Sequence, residues 1–418
     1  MHYARGLHLA IALILSAAGS LTIAVDDAWL TMTSDKEDAV YAAKAKATFT
    51  LVAVGNTPPN AKLSYKIHWD HGKDLAQGDV TLKAGKAELS QVLPEPGCLV
   101  VEVTLGTLKA EYGAVADPFK IMPSQPAPKD LDAFWDAEKK ALAKVPMNAR
   151  LVPAIDDHTA RYGPEVECFD LTLDCTGGKP VHGYYVRPKG AKPKSLPAYL
   201  SLPSGGIKDS SLHAAWYQAK SNQIALDINA HALLNGQPAD YYTQQNKELS
   251  DYQARGIESR DSFYFKGMYL RTLRAIDFLA SQPEWDGKIL IASGGSQGGG
   301  LSLVAGGLDA RVSEIIIHAP GFCEFSDLLG RQRGWPGKNA VTPQAKAAVS
   351  YFDVCYLAPH FKGKATCVTG LLDTTCPPIG VLAAFNQLGG ERSLVILPAA
   401  GHSGDQKIEK DPKFKHLP

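Results

Sequence analysis

The sequence has no surplus of charge of either sign: 43 Lys and Arg residues stand against 43 Asp and Glu. No basic block or stripe breaks that balance, so nucleic acid and anionic membrane surfaces are poor partners. There is no C-x-x-C pair among the seven cysteines, Cys98, Cys168, Cys175, Cys323, Cys355, Cys367 and Cys376, so nothing suggests a zinc site. Their odd number leaves at least one thiol free or intermolecular in an exported protein. Most lie in apolar runs, where cysteine acts as a small hydrophobe. A Cys367–Cys376 pairing is open but not required. The apolar run from Leu7 to Ala18 is too short to span a bilayer comfortably. It follows Arg5 and precedes small residues and Asp26-Asp27, which is the shape of a secretory signal. Residues 1–24 are therefore expected to be a signal peptide, with cleavage after Ala18, Ser20 or Ala24 and a secreted or periplasmic mature chain starting near Val25. An uncleaved anchor is the alternative.

What is present is an ordinary globular composition, 45% hydrophobic and 21% charged over 418 residues, with room for two domains. From Val25 to Met122 apolar residues keep period two. Ala45, Ala47, Phe49 and Leu51 alternate with polar partners, as do Leu63, Tyr65, Ile67 and Trp69 before Asp70-His71-Gly72. Val80 and Leu82, then Leu99 to Leu105, continue the pattern, and a small immunoglobulin-like β-sandwich over residues 25–122 is expected. Trp69 has the chemistry to stack on a sugar, but its place in the alternation assigns it to the core. Pro123, Pro126 and Pro128 mark a linker over residues 123–129. Asp130 is expected to cap a helix from Leu131 to Ala143 with Phe134 and Trp135 on its apolar side.

Over residues 130–418 short apolar strands alternate with helical patterns, the signature of a mostly parallel sheet covered on both faces. Val166–Leu173 and Val181–Arg187 read as an opening antiparallel pair. Residues 198–202, 223–228, 288–293, 313–318, 365–371 and 393–397 read as further strands, and Tyr264–Ala280 as a strong helix. Active sites of such sheets form at the carboxyl ends of the strands. At one of those ends stands Gly294-Gly295-Ser296-Gln297-Gly298, a G-x-S-x-G motif between a strand and a helical pattern. That context describes a nucleophile elbow, with Ser296 exposed on a sharp turn and the Gln297 N–H at the head of the next helix.

A serine hydroxyl is a weak nucleophile and needs a base that is itself oriented by an acid. Both follow in the chain order this architecture requires: Asp373 after one strand, in Gly370-Leu-Leu-Asp373-Thr-Thr-Cys-Pro-Pro378, and His402 after the next, in Ala399-Ala-Gly-His402. Singly, Asp373 reads equally well as the start of a turn and His402 as a loop histidine. Order and strand-end placement together make them a triad with Ser296. The second oxyanion donor is expected in Pro203-Ser204-Gly205-Gly206, as the Gly205 N–H, beside that of Gln297.

With these residues in view, the region from Asp132-Ala-Phe-Trp135 to His402 resembles the acetyl xylan esterase and cephalosporin C deacetylase family, carbohydrate esterase family seven, of the α/β-hydrolase fold. The resemblance rests on residues 264–280, Pro283-Glu-Trp-Asp286-Gly, Gly294-Gly-Ser-Gln-Gly-Gly299 and Asp373-Thr-Thr-Cys-Pro-Pro378. It implies an α/β-hydrolase domain acting without metal or cofactor to release acetate from acetylated carbohydrates or small acetyl esters, and the all-β domain that precedes it is extra to the compact family members. Homo-oligomers are left open. Two departures stand out: Asn229-Ala-His231 with Asn235-Gly236-Gln237 replaces the family's Arg-Gly-Gln, and Pro203-Ser204-Gly205 replaces its His-Gly-Tyr. Two other readings remain: a peptidase or longer-acyl esterase, and a sugar-binding first domain carrying a weakly active scaffold.

Overall fold

The computed structural model describes residues 28–70, 72–154, 165–324, 335 and 339–403. The expected signal segment, residues 1–24, and the expected start near Val25 lie outside the described residues. The chain divides into two compact units. One gathers Met1–Asp117 with Gly370–Leu372 and Ile396–Lys415; the other comprises Pro118–Thr369, Asp373–Val395 and His416–Pro418.

The first unit holds eight strands: β1 (Leu30–Ser34), β2 (Val40–Tyr41), β3 (Lys46–Ala53), β4 (Lys62–Trp69), β5 (Lys73–Thr81), β6 (Lys86–Val92), β7 (Gly97–Leu105) and β8 (Leu108–Ala116). They form a three-stranded sheet, β1-β3-β6, and a five-stranded sheet, β2-β8-β7-β4-β5. The inward residues of both, among them Phe49, Leu51, Leu63, Ile67 and Val101, make one core. That is the period-two pattern of the sequence expressed as a sandwich. Trp69 is 5% exposed and belongs to this core. β5 begins well before Val80, which no pattern announced, because its residues alternate no apolar face. It is held instead by its hairpin register with β4.

The second unit carries a nine-stranded sheet ordered β17-β16-β15-β14-β12-β13-β11-β10-β9. Its strands are β9 (Arg150–Pro153), β10 (Val166–Leu173), β11 (Val181–Pro188), β12 (Leu196–Leu202), β13 (Ile224–Ile228), β14 (Trp285–Gly295), β15 (Glu314–His318), β16 (Lys364–Gly370) and β17 (Arg392–Leu397). From β13 through β12, β14 and β15 to β16 the pairings are parallel, while β9, β10 and β11 add an antiparallel edge. The helices are α1 (Leu131–Ala143), α2 (Leu212–Lys220), α3 (Ala239–Glu248), α4 (Tyr264–Ser281), α5 (Gln297–Leu308), α6 (Pro343–Val349), α7 (Val354–Leu357) and α8 (Pro378–Gln387). Ala215 and Trp216 of α2 pack on Tyr199 and Ala225, and the residues facing the other way, Ala198, Leu200, Leu226 and Ala292, are also fully shielded. Burial on both faces explains why these strands read as apolar runs rather than alternations. This is the α/β-hydrolase arrangement expected from the sequence.

One expectation is corrected, and one pairing left open is decided. Asp130 precedes α1 but its side chain makes no capping bond; its carboxylate is drawn off by Arg260 at 2.6 Å and by the Tyr351 hydroxyl. An ion pair to a guanidinium outcompetes a neutral N–H for the same oxygens. Cys367 and Cys376 are not joined: all seven cysteines are free thiols, six of them buried. The proline-rich stretch is fastened within the second unit, where the Ser124 N–H donates to Glu324 and Tyr356 donates to the Gln125 carbonyl.

Candidate active site

At the end of β14 the chain turns at Ser296 and enters α5 at the next residue, Gln297. Ser296 holds φ 56° and ψ −120°, a region that costs a residue with a side chain on the order of 1–3 kcal/mol. Three backbone bonds hold it there. Its N–H donates to the His318 carbonyl at 2.8 Å, and its carbonyl accepts from Gly300 at 3.1 Å and Gly321 at 2.8 Å. The turn closes because Gly294 and Gly298 have no side chains. A Cβ on Gly294 would stand 2.6 Å from the Leu202 carbonyl oxygen and from the Gly298 carbonyl carbon. A Cβ on Gly298 would stand 2.1 Å from the same Leu202 oxygen. The outer glycines of the motif are thus demanded by the close approach of β12, while at Gly295 a Cβ would meet only ordinary contacts.

Gln297 is the first residue of α5 and completely buried. Its N–H is one of the leading amides that have no carbonyl within their own helix. Its side-chain oxygen accepts from the Tyr252 hydroxyl at 3.0 Å. Gly205 lies exposed in the loop after β12, a loop joined to the elbow where the Ser204 hydroxyl donates to the Gly295 carbonyl at 3.2 Å.

Asp373 lies three residues past β16 and is completely buried. Its Oδ1 accepts from the Thr375 and Cys376 N–H groups, both at 2.8 Å, so it does start a turn, with one of its two oxygens. That turn delivers Cys376 to hydrogen-bond reach of Ser296, and burial together with the Asp373 charge pushes the Cys376 thiol well up. His402, half-buried, follows β17, the strand next to β16. The two loops are bonded to each other: the Leu371 N–H donates to Leu397 and the Leu372 N–H to Ala400, each at 3.0 Å.

The segment that departs from the family pattern is a buried polar knot. Asn229 donates to the Lys208 carbonyl at 2.6 Å, and Asn235 to Asp170 at 2.7 Å and to the Gly183 carbonyl at 3.0 Å. His231 Nδ1 lies 3.0 Å from the Tyr264 hydroxyl, and its ring meets Tyr252 edge-on with centroids 4.7 Å apart. Burial, aided by the Arg271 charge, pulls His231 down to about 3, so it is neutral at working pH. Burial lifts Tyr252 to about 12, so its hydroxyl keeps the proton it donates to Gln297. Sequence reading missed Tyr252. It sits in a stretch without helical or strand periodicity, and only the fold brings it to the elbow.

Comparison with known proteins agrees with this architecture. The sequence profile of the acetyl xylan esterase family matches residues 118–334 and 335–418, well over half of the chain. Acetyl esterase Axe7A of Xylanibacter ruminicola is 29% identical over 395 residues, covering 91% of this chain and 86% of that protein. An acetyl xylan esterase from Paenibacillus sp. R4 superposes with a TM-score of 0.60 at 28% identity, covering 70% of this chain and 95% of its own. Acetyl xylan esterase 1 of Thermoanaerobacterium sp. JW/SL YS485 shares the fold, with a TM-score of 0.57 at 21% identity over 70% of this chain and 94% of that one. The two-faced sheet, the strained serine at its elbow and the profile match lead to one conclusion: the chain belongs to the acetyl xylan esterase family of carboxylic ester hydrolases.

Proposed function

We propose that this protein is a serine esterase that removes acetyl groups from acetylated carbohydrate, xylan or its oligosaccharides being the substrate class. The observation that carries the reading is the strained Ser296 at the strand-to-helix turn, in a chain matched by the acetyl xylan esterase profile. His402 takes the Ser296 proton as the hydroxyl attacks the ester carbonyl, and Asp373 holds the imidazole in the required tautomer and stabilises its charged form. The Gln297 and Gly205 N–H groups receive the oxyanion. Collapse of the tetrahedral intermediate expels the sugar hydroxyl, protonated by His402, and leaves acetyl on Ser296. Water activated by the same imidazole then releases acetate. None of these steps calls for a metal or cofactor.

The test is acetate release from acetylated xylan, acetylated xylo-oligosaccharides and cephalosporin C, with Ser296→Ala as control. Turnover on the carbohydrates that disappears in the variant supports the reading. Faster turnover of long acyl esters or aminoacyl anilides than of acetyl esters would replace the substrate class. The Arg5-led apolar run supports export to the periplasm or medium. A mature protein recovered outside the cytoplasm with its first residue near Val25 is the expected result.

A further inference from the structure

The first compact unit contains more than its sandwich: it also takes in Gly370–Leu372 and Ile396–Lys415. The point of contact is Gly113, in β8 opposite Val100 of β7. Its N–H donates to the Pro398 carbonyl at 2.8 Å. A Cβ at Gly113 would stand 2.3 Å from the Leu371 Cβ, 3.1 Å from the Pro398 oxygen and 3.2 Å from Leu371 Cδ1. Only glycine lets β8 lie this close. Leu371 is fully buried and stands two residues before Asp373; Pro398 stands four before His402. The Leu371–Leu397 and Leu372–Ala400 bonds fasten the two segments to each other.

From this geometry we infer that Gly113 is a positioning residue for His402, and that β8 of the sandwich fixes the segment from Pro398 that leads to it. The inference rests on the serine-esterase reading above. Gly113 touches neither substrate nor triad. It sets how far Pro398 comes out, and three residues of chain join Pro398 to His402. A general base tolerates little displacement, and about 1 Å of misplacement can cost on the order of 100-fold in rate.

The experiment compares full-length Gly113→Ala with Leu89→Ala, a truncation in the other sheet of the sandwich, using p-nitrophenyl acetate. Gly113→Ala is expected to lower kcat by about 10- to 100-fold with KM within about twofold, and to displace the acid limb of the kcat–pH profile. Leu89→Ala is expected to lower Tm while keeping kcat and the pH profile below its melt. Should Gly113→Ala not fold, Leu371→Ala decides from the other side of the contact, with an expected loss in kcat of about fivefold and the same displaced limb. A lowered Tm with unchanged kcat and pH profile, in Gly113→Ala or in that second variant, would reduce Gly113 to simple packing and overturn the inference. Ser296→Ala measured in parallel separates the two ideas: retained turnover there sinks the serine reading itself.

Discussion

The elbow at Ser296 and the two loops ending at Asp373 and His402 meet the same demand, a fixed side chain at a strand end, by opposite means. The elbow is built from neighbours in sequence. Gly294, Gly298 and the head of α5 create the turn, and β12 and β15 press against it. The loops carry less local code, the turn that Asp373 makes with Thr375 and Cys376 apart. Each is held by bonds to the other and by Gly113, a residue hundreds of positions away in the chain. A locally coded turn is legible as a motif, while a turn held from outside is legible only as a residue type at a strand end.

The largest expected effect removes the elbow's proposed nucleophile. Ser296→Ala should lower kcat by roughly 10⁵- to 10⁶-fold, measured as acetate release, while Tm holds, because alanine keeps the Cβ and with it the strain of the turn. Asp373→Asn should follow, with kcat down by about 10⁴-fold, since the neutral amide favours the wrong imidazole tautomer. Retained turnover in that variant would leave Asp373 with only its turn role. Gly298→Ala tests the local code: its Cβ meets the Leu202 oxygen at 2.1 Å, so a Tm loss corresponding to about 3 kcal/mol or more is expected together with loss of activity. Wild-type stability there would mean the elbow is less tight than the glycines indicate. Tyr252→Phe should be milder, about tenfold in kcat with KM nearly unchanged, because the Gln297 side chain behind the proposed oxyanion donor loses its partner.

A further effect lies outside both regions and concerns stability alone. Asp227 is fully buried at the end of β13 and pushed up to about 6 by that burial, against bonds from the Ser201 hydroxyl and the Ser211 N–H. Its folded value stands above the unfolded one, so the folded state holds an extra proton between about pH 4 and 6. Stability from this group is therefore fully present below pH 4 and is lost as pH rises toward 6, roughly 3 kcal/mol in all. Asp227→Asn removes the charge, so the difference in Tm between variant and wild type should grow from pH 4 to pH 7 in the variant's favour. A difference that stays constant with pH rules this out.

How much could be read from the sequence follows the same division. The period of two in β3 and β4 announced the sandwich, and the buried runs of β12 to β16 announced the parallel sheet, because side-chain direction repeats along one strand and needs no partner to be seen. β5 was only partly visible, since its register is imposed by β4. The Asp130 cap failed because a distant arginine competes for its oxygens, and the Cys367–Cys376 pairing stayed open in the sequence because spacing carries no geometry. Tyr252 gave no signal, as its role consists of one bond to a residue 45 positions away.

By itself, then, the sequence determined which residues are proposed to bear the chemistry: a serine in a glycine turn, then an acid and a histidine at successive strand ends, in an order only a wound sheet makes sense of. Tertiary structure alone decided the strained φ of Ser296, the tyrosine behind Gln297 and the pressure of Gly113 on Leu371 and Pro398. The reason is physical. Periodicity and turn chemistry are properties of short stretches, whereas strain and close packing exist only when remote segments compete for the same space.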